Sequence, residues 1–209
     1  MAQLILIRHG ETLWNRLKRF QGGRSDVPLS AVGRLQAQLI ANALLREPIE
    51  AVFSSPLVRA RETAEAVAQV HRLHVQILPE LNELDFGEYE GEYEASLLEE
   101  HGAEFTAWRN THYTLPPSGG DSLESVRGRV AQALKRMEES GAERIAVVAH
   151  QGILMALKAH LCDDYSVEAA RGYKQANHQI EFWDSVARKL FKSVEVHGSY
   201  AGILLPEPG

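Results

Sequence analysis

The sequence holds one cysteine, Cys162, among 209 residues. That excludes an internal disulfide and, with no second thiol beside it, a thiolate metal site. A reducing, cytoplasmic compartment fits such a chain. Long apolar runs are missing as well. The opening Leu4-Ile5-Leu6-Ile7 is cut off by Arg8, too soon for a signal-peptide core or a membrane span, so no membrane partner is expected. Nor is there an excess of basic residues. The formal net charge is −6, whereas binding to a phosphate backbone normally needs a basic face, so nucleic acid is not expected as a partner. No internal repeat, low-complexity tract or linker interrupts the chain. What remains is an average soluble composition, 44% hydrophobic and 24% charged, on a length that suits one α/β domain over residues 1–209.

Leu4 to Ile7 is continuously apolar, as a strand covered on both faces must be, and it ends at Arg8-His9-Gly10. From Ser30 to Leu45 the apolar residues recur at helical spacing, with Ser30 as the N-cap. Ala51-Val52-Phe53 predicts a second strand, running through Ser54-Ser55-Pro56 into a helix. Val75–Leu78 predicts a third strand, Ser122–Met137 a helix, and Arg144–Ala149 another buried strand that ends at His150 and leads into a helix over Ile153–Leu161. Further strands are predicted at Ile180–Trp183 and Leu190–Val196, with a loose end marked by Pro206 and Pro208. Residues 83–120 lack a clean period. Alternating strands and helices predict a three-layer α/β/α sandwich with a mostly parallel central sheet, whose ligands bind beyond the carboxyl ends of the strands.

Two buried strands therefore each deliver a histidine to one sheet edge. A lone histidine is usually satisfied by nearby backbone, but two flanked by glycine at the same edge point to a site. Arg8 adds a guanidinium that can hold two oxygens of a phosphate, and Arg59 and Arg61 follow the second strand. Being two residues apart on a helix they point in different directions, and Arg59 is the one expected to face the site. His71, His74, His101, His112, His160, His178 and His197 form no close ligand pair with a carboxylate and read as surface or satisfied histidines, so no metal and no cofactor is expected. Trp108, Tyr113, Tyr165 and Trp183 are read as core or lid packing, with the substrate entrance as the alternative.

The block Leu6-Ile7-Arg8-His9-Gly10-Glu11-Thr12-Leu13-Trp14-Asn15 resembles the Arg-His-Gly-Glu-Thr signature of the histidine phosphatase superfamily, which includes phosphoglycerate mutases and many small phosphatases. Phe20-Gln21-Gly22, Ser54-Ser55-Pro56-Leu57-Val58-Arg59-Ala60, Leu81-Asn82-Glu83-Leu84, Gly119-Gly120-Asp121-Ser122 and Val147-Val148-Ala149-His150 follow in the family's order. The resemblance implies that His9 is the nucleophile, that Arg8, Asn15, Arg59 and His150 hold the phosphoryl oxygens, and that Glu83 protonates the leaving oxygen. Gln21, Gly22 and the backbone N–H of Gln151 join them as phosphate contacts. Asn15 also reads as a helix N-cap, and Asp85 is the rival to Glu83. Glu88, Glu90, Glu92 and Glu94 read as a solvated acidic run. Glu11, whose charge would repel a phosphate, is given a structural role, such as orienting an arginine.

On this reading a lid insertion spans roughly residues 85–120. Mutases of the family carry an arginine-rich stretch there that binds the substrate carboxylate, and this chain has only Arg109. Hydrolysis of a small phosphate ester is therefore expected, with phosphoglycerate mutase and an inert phosphate-ester-binding protein as alternatives. A homodimer is compatible with the reading.

Overall fold

The structure is a computed structural model that describes residues 3–196. The expected loose end at Pro206 and Pro208, and His197, lie outside them. Strand β1 (Gln3–Arg8) leads through the short α1 (Leu13–Arg16) to α2 (Ala31–Leu44), β2 (Ala51–Ser54), α3 (Val58–His71) and β3 (Val75–Ile77). Then come α4 (Glu94–Asn110), α5 (Arg127–Glu139), β4 (Arg144–Ala149), α6 (Gln151–Cys162), α7 (Val167–Gly172), β5 (Gln179–Asp184) and β6 (Lys189–Glu195). The six strands form one sheet in the order β3-β2-β4-β1-β5-β6. Its first four strands are parallel, and β5 and β6 add an antiparallel edge.

The alternation of side chains along a strand builds the two cores. Leu4 and Leu6 of β1 and Ile145, Val147 and Ala149 of β4 face a core closed by α5 and α6, while Ile5, Ile7, Ala146 and Val148 face one closed by α2 and α3. Both faces are thus covered, which is why these strands read as unbroken apolar runs. The chain after β1 passes so close to the start of α2 that a Cβ on Gly10 would lie 2.4 Å from Gly33 O, and one on Gly33 2.0 Å from Glu11 O.

Two elements differ from expectation. The helix predicted from Ser122 begins at Arg127, because Ser122 and Ser125 bond each other's backbone N–H through their hydroxyls and hold the chain in a turn. The stretch without a period contains α4, whose buried residues are only Leu97, Phe105 and Trp108. Its anchor is aromatic: Phe20 lies 5.5 Å from Phe105 and 5.8 Å from both Phe86 and Trp108, and Tyr113 lies 5.7 Å from Trp108.

Candidate active site

Sheet register brings the two histidines together. Arg8 pairs with Ala149, so His9 and His150 leave adjacent parallel strands side by side, with ring centroids 5.1 Å apart. The Nδ1 of His9 lies 2.7 Å from Gly10 O. A carbonyl oxygen only accepts, so the proton sits on Nδ1 and Nε2 keeps its lone pair. Burial, then Arg59 and Arg8, hold the His9 pKa well below its ordinary value, which keeps the ring neutral near pH 7. Asn177 Nδ2 donates to His9 O at 2.6 Å and fixes the backbone behind it.

His150 is held differently. Arg59 Nε, which can only donate, lies 3.2 Å from its Nδ1, so its proton is on Nε2, donated to Ser55 Oγ at 2.7 Å. Both ring nitrogens therefore have protein partners, where the sequence led us to expect a direct oxygen contact. Arg59 also donates to Ser25 O at 2.6 Å and Gly22 O at 3.2 Å, and it is fully buried, whereas Arg61 is exposed. Of the two arginines, Arg59 is thus the one turned inward, onto His150. Arg8 Nη1 donates to Gln151 Oε1 at 2.9 Å and Gln175 O at 3.1 Å, while its buried Nε has no protein partner.

Glu83 sits at the start of α6. Leu84 N and Ile153 N both donate to its Oε1 at 2.9 Å, and Gly152 N donates to its Oε2 at 3.1 Å. A Cβ on residue 152 would lie 2.6 Å from Leu84 Cδ1 and 2.8 Å from Glu83 Oε1, so only glycine lets the helix terminus approach the carboxyl this closely. Burial raises the Glu83 pKa, and the three N–H donors and Arg59 only partly oppose it. With one donor on Oε2 against two on Oε1, Oε2 has room for the proton.

Asn15 is not the N-cap of α1, which is Thr12, but the third helical residue, closing a capping box: Thr12 N donates to its Oδ1 at 3.1 Å and its own N–H donates to Thr12 Oγ1 at 3.1 Å. Its amide nitrogen takes no part in that box. Thr12 Oγ1 then donates to Gln21 Oε1 at 2.8 Å, leaving the Gln21 NH2 uninvolved in the bond.

A cleft of about 270 Å³ opens on these groups, lined by Arg8, His9, Asn15, Gln21, Glu83 and Gln151. Arg59, His150 and Gly22 do not line it, and Gly22 acts through the carbonyl that Arg59 grips. Asp85, the rival acid, lies away from the cleft, paired with Arg24 at 3.0 Å. Glu11 receives the Ser30 hydroxyl at 2.7 Å, steadying the cap of α2, and among the described residues it forms no ion pair with an arginine. The acidic run is only partly solvated. Glu88 and Glu92 are exposed, but Glu90 accepts from Arg24 N and Ser25 Oγ, bracing the loop that holds Arg59, and Glu94 pairs with Arg109 in the cleft wall. Trp108 and Tyr113 line the cleft, while Tyr165 and Trp183 do not. Among the described residues no group of three or more His, Cys, Asp or Glu side chains could hold a metal.

The family model for the histidine phosphatase superfamily, branch 1, matches residues 4–186. The chain belongs to that superfamily. It is 37% identical to the adenosylcobalamin/alpha-ribazole phosphatase of Escherichia coli over 160 residues, 76% of this chain and 78% of the relative. It is 34% identical to phosphoserine phosphatase 1 of Hydrogenobacter thermophilus over 151 residues, 72% of this chain and 71% of that one. Among solved structures, a mycobacterial glucosyl-3-phosphoglycerate phosphatase complexed with VO3 superposes with a TM-score of 0.81 at 27% identity, covering 88% of this chain and 91% of the other. Such relatives agree with a phosphoric monoester hydrolase.

Sequence reasoning missed the support beneath Arg8 in this histidine phosphatase. Lys158 is fully buried in α6, and its Nζ donates to Glu181 Oε2 at 2.7 Å, to Tyr173 O at 3.0 Å and to Gln175 Oε1 at 3.0 Å. Gln175 Nε2 donates to Leu6 O at 2.7 Å, and Gln175 O receives Arg8. A lysine in the middle of the mostly apolar run Ile153–Ala159 was the available signal. Lys158→Met is expected to destabilise the protein by ~3–5 kcal/mol, because it strands a buried carboxylate, and Lys158→Met with Glu181→Leu to recover most of that. Urea unfolding of both variants checks it.

Proposed function

We propose that the protein hydrolyses small phosphate monoesters in two in-line transfers through His9. His9 Nε2 attacks phosphorus, the P–O bond to the alcohol breaks, and Glu83 gives its proton to the departing oxygen. Water then attacks the phosphohistidine, Glu83 takes a proton from it, the N–P bond breaks and inorganic phosphate leaves. Arg8, Asn15, Gln21 and the Gln151 N–H are assigned to the phosphoryl oxygens. Arg59 contributes positive charge from behind, and His150 positions it. The observation that carries this reading is the His9 tautomer: a neutral imidazole, proton fixed by Gly10 O, with its free nitrogen at a cleft that also holds an unpartnered Arg8 Nε and the buried carboxyl of Glu83.

The cleft is near the small end of ligand sites, ~300–1,000 Å³, which suits a small metabolite. The reading includes a single domain in which residues 85–120 form the lid, since Phe86, Glu94, Trp108 and Tyr113 supply cleft wall. It also places the protein in the cytoplasm, in keeping with its lone cysteine, either alone or as a homodimer. Neither nucleic acid nor a membrane is a partner in it: the net charge is −6, and no helix among the described residues is long and apolar enough to cross a membrane.

The test is phosphate release from a simple ester without any bisphosphate added, compared with interconversion of 2- and 3-phosphoglycerate. Hydrolysis is expected to dominate and to be unchanged by a chelator. Faster interconversion would make the protein a mutase, and a rate lost to chelator and restored by a divalent ion would overturn the metal-free mechanism.

The protonation states set a pH profile. His9 must be neutral, and its depressed pKa puts the acid limb well below pH 6.5. Glu83 must be protonated, and its raised pKa puts the alkaline limb above the usual carboxylate value of 4.5, so kcat/KM for an alkyl phosphate is expected to fall as pH rises through it. Ionisation of the ester itself, near pH 6, is common to wild type and variants. A Glu83→Gln profile that kept the wild-type alkaline limb would remove Glu83 from that role.

A further inference from the structure

A guanidinium can grip an oxyanion with either of two edges, the end edge of Nη1 and Nη2 or the side edge of Nε and Nη2. In Arg8 the end edge is occupied. Nη1 has two N–H groups, and two acceptors take them: Gln151 Oε1 at 2.9 Å and Gln175 O at 3.1 Å. Nε, on the other edge, is buried without a protein partner, and Arg8 lines the cleft. A buried donor without an acceptor costs stability unless a ligand supplies one, so the side edge is the one the fold leaves for an oxyanion.

Both acceptors are set by one stripe of α6. Gln151, Met155 and Lys158 stand at i, i+4 and i+7, so they share a face of the helix. At its N-terminal end Gln151 reaches Arg8 directly, and Gln151 Nε2 is steadied by Met155 Sδ at 3.3 Å. Two turns on, Lys158 acts on Arg8 through Gln175: Lys158 Nζ donates to Gln175 Oε1 at 3.0 Å, and Gln175 Nε2 donates to Leu6 O at 2.7 Å and to Gln179 O at 2.9 Å. Gln175 is thereby tied to the strand that carries Arg8. The two acceptors are also neutral. A carboxylate in either place would engage the charge of Arg8 in an ion pair and set a negative charge beside the incoming phosphate, whereas amide carbonyls orient the guanidinium and leave its charge for the substrate.

We infer that the Gln151 side chain is a positioning residue for the transfer: by holding Nη1 of Arg8 it turns the edge of Nε and Nη2 onto the oxygens that flatten into a plane as the phosphoryl group passes from donor to acceptor. This rests on the phosphatase reading above, in which Arg8 contacts those oxygens. Gln151 then has two separate tasks, its backbone N–H toward the phosphate and its side chain toward Arg8. A side chain that only filled the cleft wall would be replaceable by any group of equal size, whereas one that positions Arg8 is replaceable only by another acceptor.

The experiment compares two variants of matched size. Gln151→Met keeps the length of the side chain and removes the acceptor, so kcat for p-nitrophenyl phosphate is expected to fall on the order of tenfold, the effect of one hydrogen bond to a charged group, with KM within about twofold of wild type. Gln151→Glu keeps an acceptor at the same reach but adds charge, so kcat is expected to stay within about threefold of wild type while KM rises. Equal losses of kcat in the two variants, or none in Gln151→Met, overturn the positioning role and leave the phosphatase reading standing. Binding is read independently of turnover, from the thermal shifts given by orthovanadate, which takes a five-coordinate geometry, and by inorganic phosphate, which stays tetrahedral. In Gln151→Met the vanadate affinity is expected to weaken on the order of tenfold and the phosphate affinity hardly at all, with the ligand-free midpoint as the check on folding. A merely structural role would weaken both anions alike, and that result overturns the inference. No turnover of any ester by wild type, with the vanadate-selective loss kept in Gln151→Met, would sink the phosphatase reading alone.

Discussion

His9→Ala is expected to lower turnover of every phosphate monoester by ~10⁴-fold or more and to abolish acid-labile phosphate on the protein. The size of the loss follows from the lack of a substitute. The nearest serine–histidine pair is Ser55 with His150, and its polarity is wrong for activating a nucleophile. Arg59 Nε occupies His150 Nδ1 as donor, so His150 donates from Nε2 to Ser55 Oγ and cannot take the hydroxyl proton. Cys162 has its sulfur near Arg188 O, outside the cleft. Water attacking directly would keep the arginine charge but lose the held nucleophile and the second, easier step. The assay is burst-phase labelling with radioactive ester alongside steady-state turnover. Residual activity above a trace that disappears on adding Ser55→Ala would overturn both the His9 assignment and the tautomer deduced for His150.

Part of this site was legible from the chain because β1 and β4 are covered on both faces. Their apolar runs had to be central strands, and the residues ending them had to emerge at the same sheet edge. Helix direction told us that Arg59 and Arg61 cannot both face the same way. The roles of His150 and Asn15 were only half legible. A sequence shows a histidine at a strand end but not that both nitrogens are taken by Ser55 and Arg59. Likewise, the capping box on Asn15 does not compete with its place in the cleft, since cap and cleft use different atoms of one amide. Lys18 and Lys174, which line the cleft, escaped notice because surface lysines are common and nothing local ties residue 18 to residue 174. Helix α4 escaped because its contacts are a cluster of aromatic rings rather than an apolar stripe, and Ser122 read as a helix start because its hydroxyl does cap a turn there.

Glu83→Gln is expected to slow an alkyl phosphate by ~10²–10⁴-fold and p-nitrophenyl phosphate far less. An alkoxide leaves poorly without a proton, while a nitrophenolate needs none, so a missing general acid affects one ester and spares the other. The geometry shows where the proton resides: Oε1 receives both Leu84 N and Ile153 N, while Oε2 receives only Gly152 N. The substitution also has a structural cost. With the amide oxygen at the Oε1 position, its NH2 faces Gly152 N, two donors opposed in a buried site, for on the order of 1–3 kcal/mol of stability. That cost applies to both esters equally, which is why the ratio of the two kcat/KM losses, and not either loss alone, reports the chemistry. Phosphoenzyme formation is followed separately by rapid quench, because Glu83 is also assigned the proton from the attacking water and a slow second step would depress kcat for both esters. Equal losses in the formation step would show that Glu83 does not protonate the leaving oxygen. Asp85 lies outside the cleft and Glu94 in its wall is paired with Arg109, so the next residue to test would be Tyr113, whose pKa is pushed up to about 12 by burial and by Glu83. Tyr113→Phe, read with the same ester pair, would be the deciding measurement.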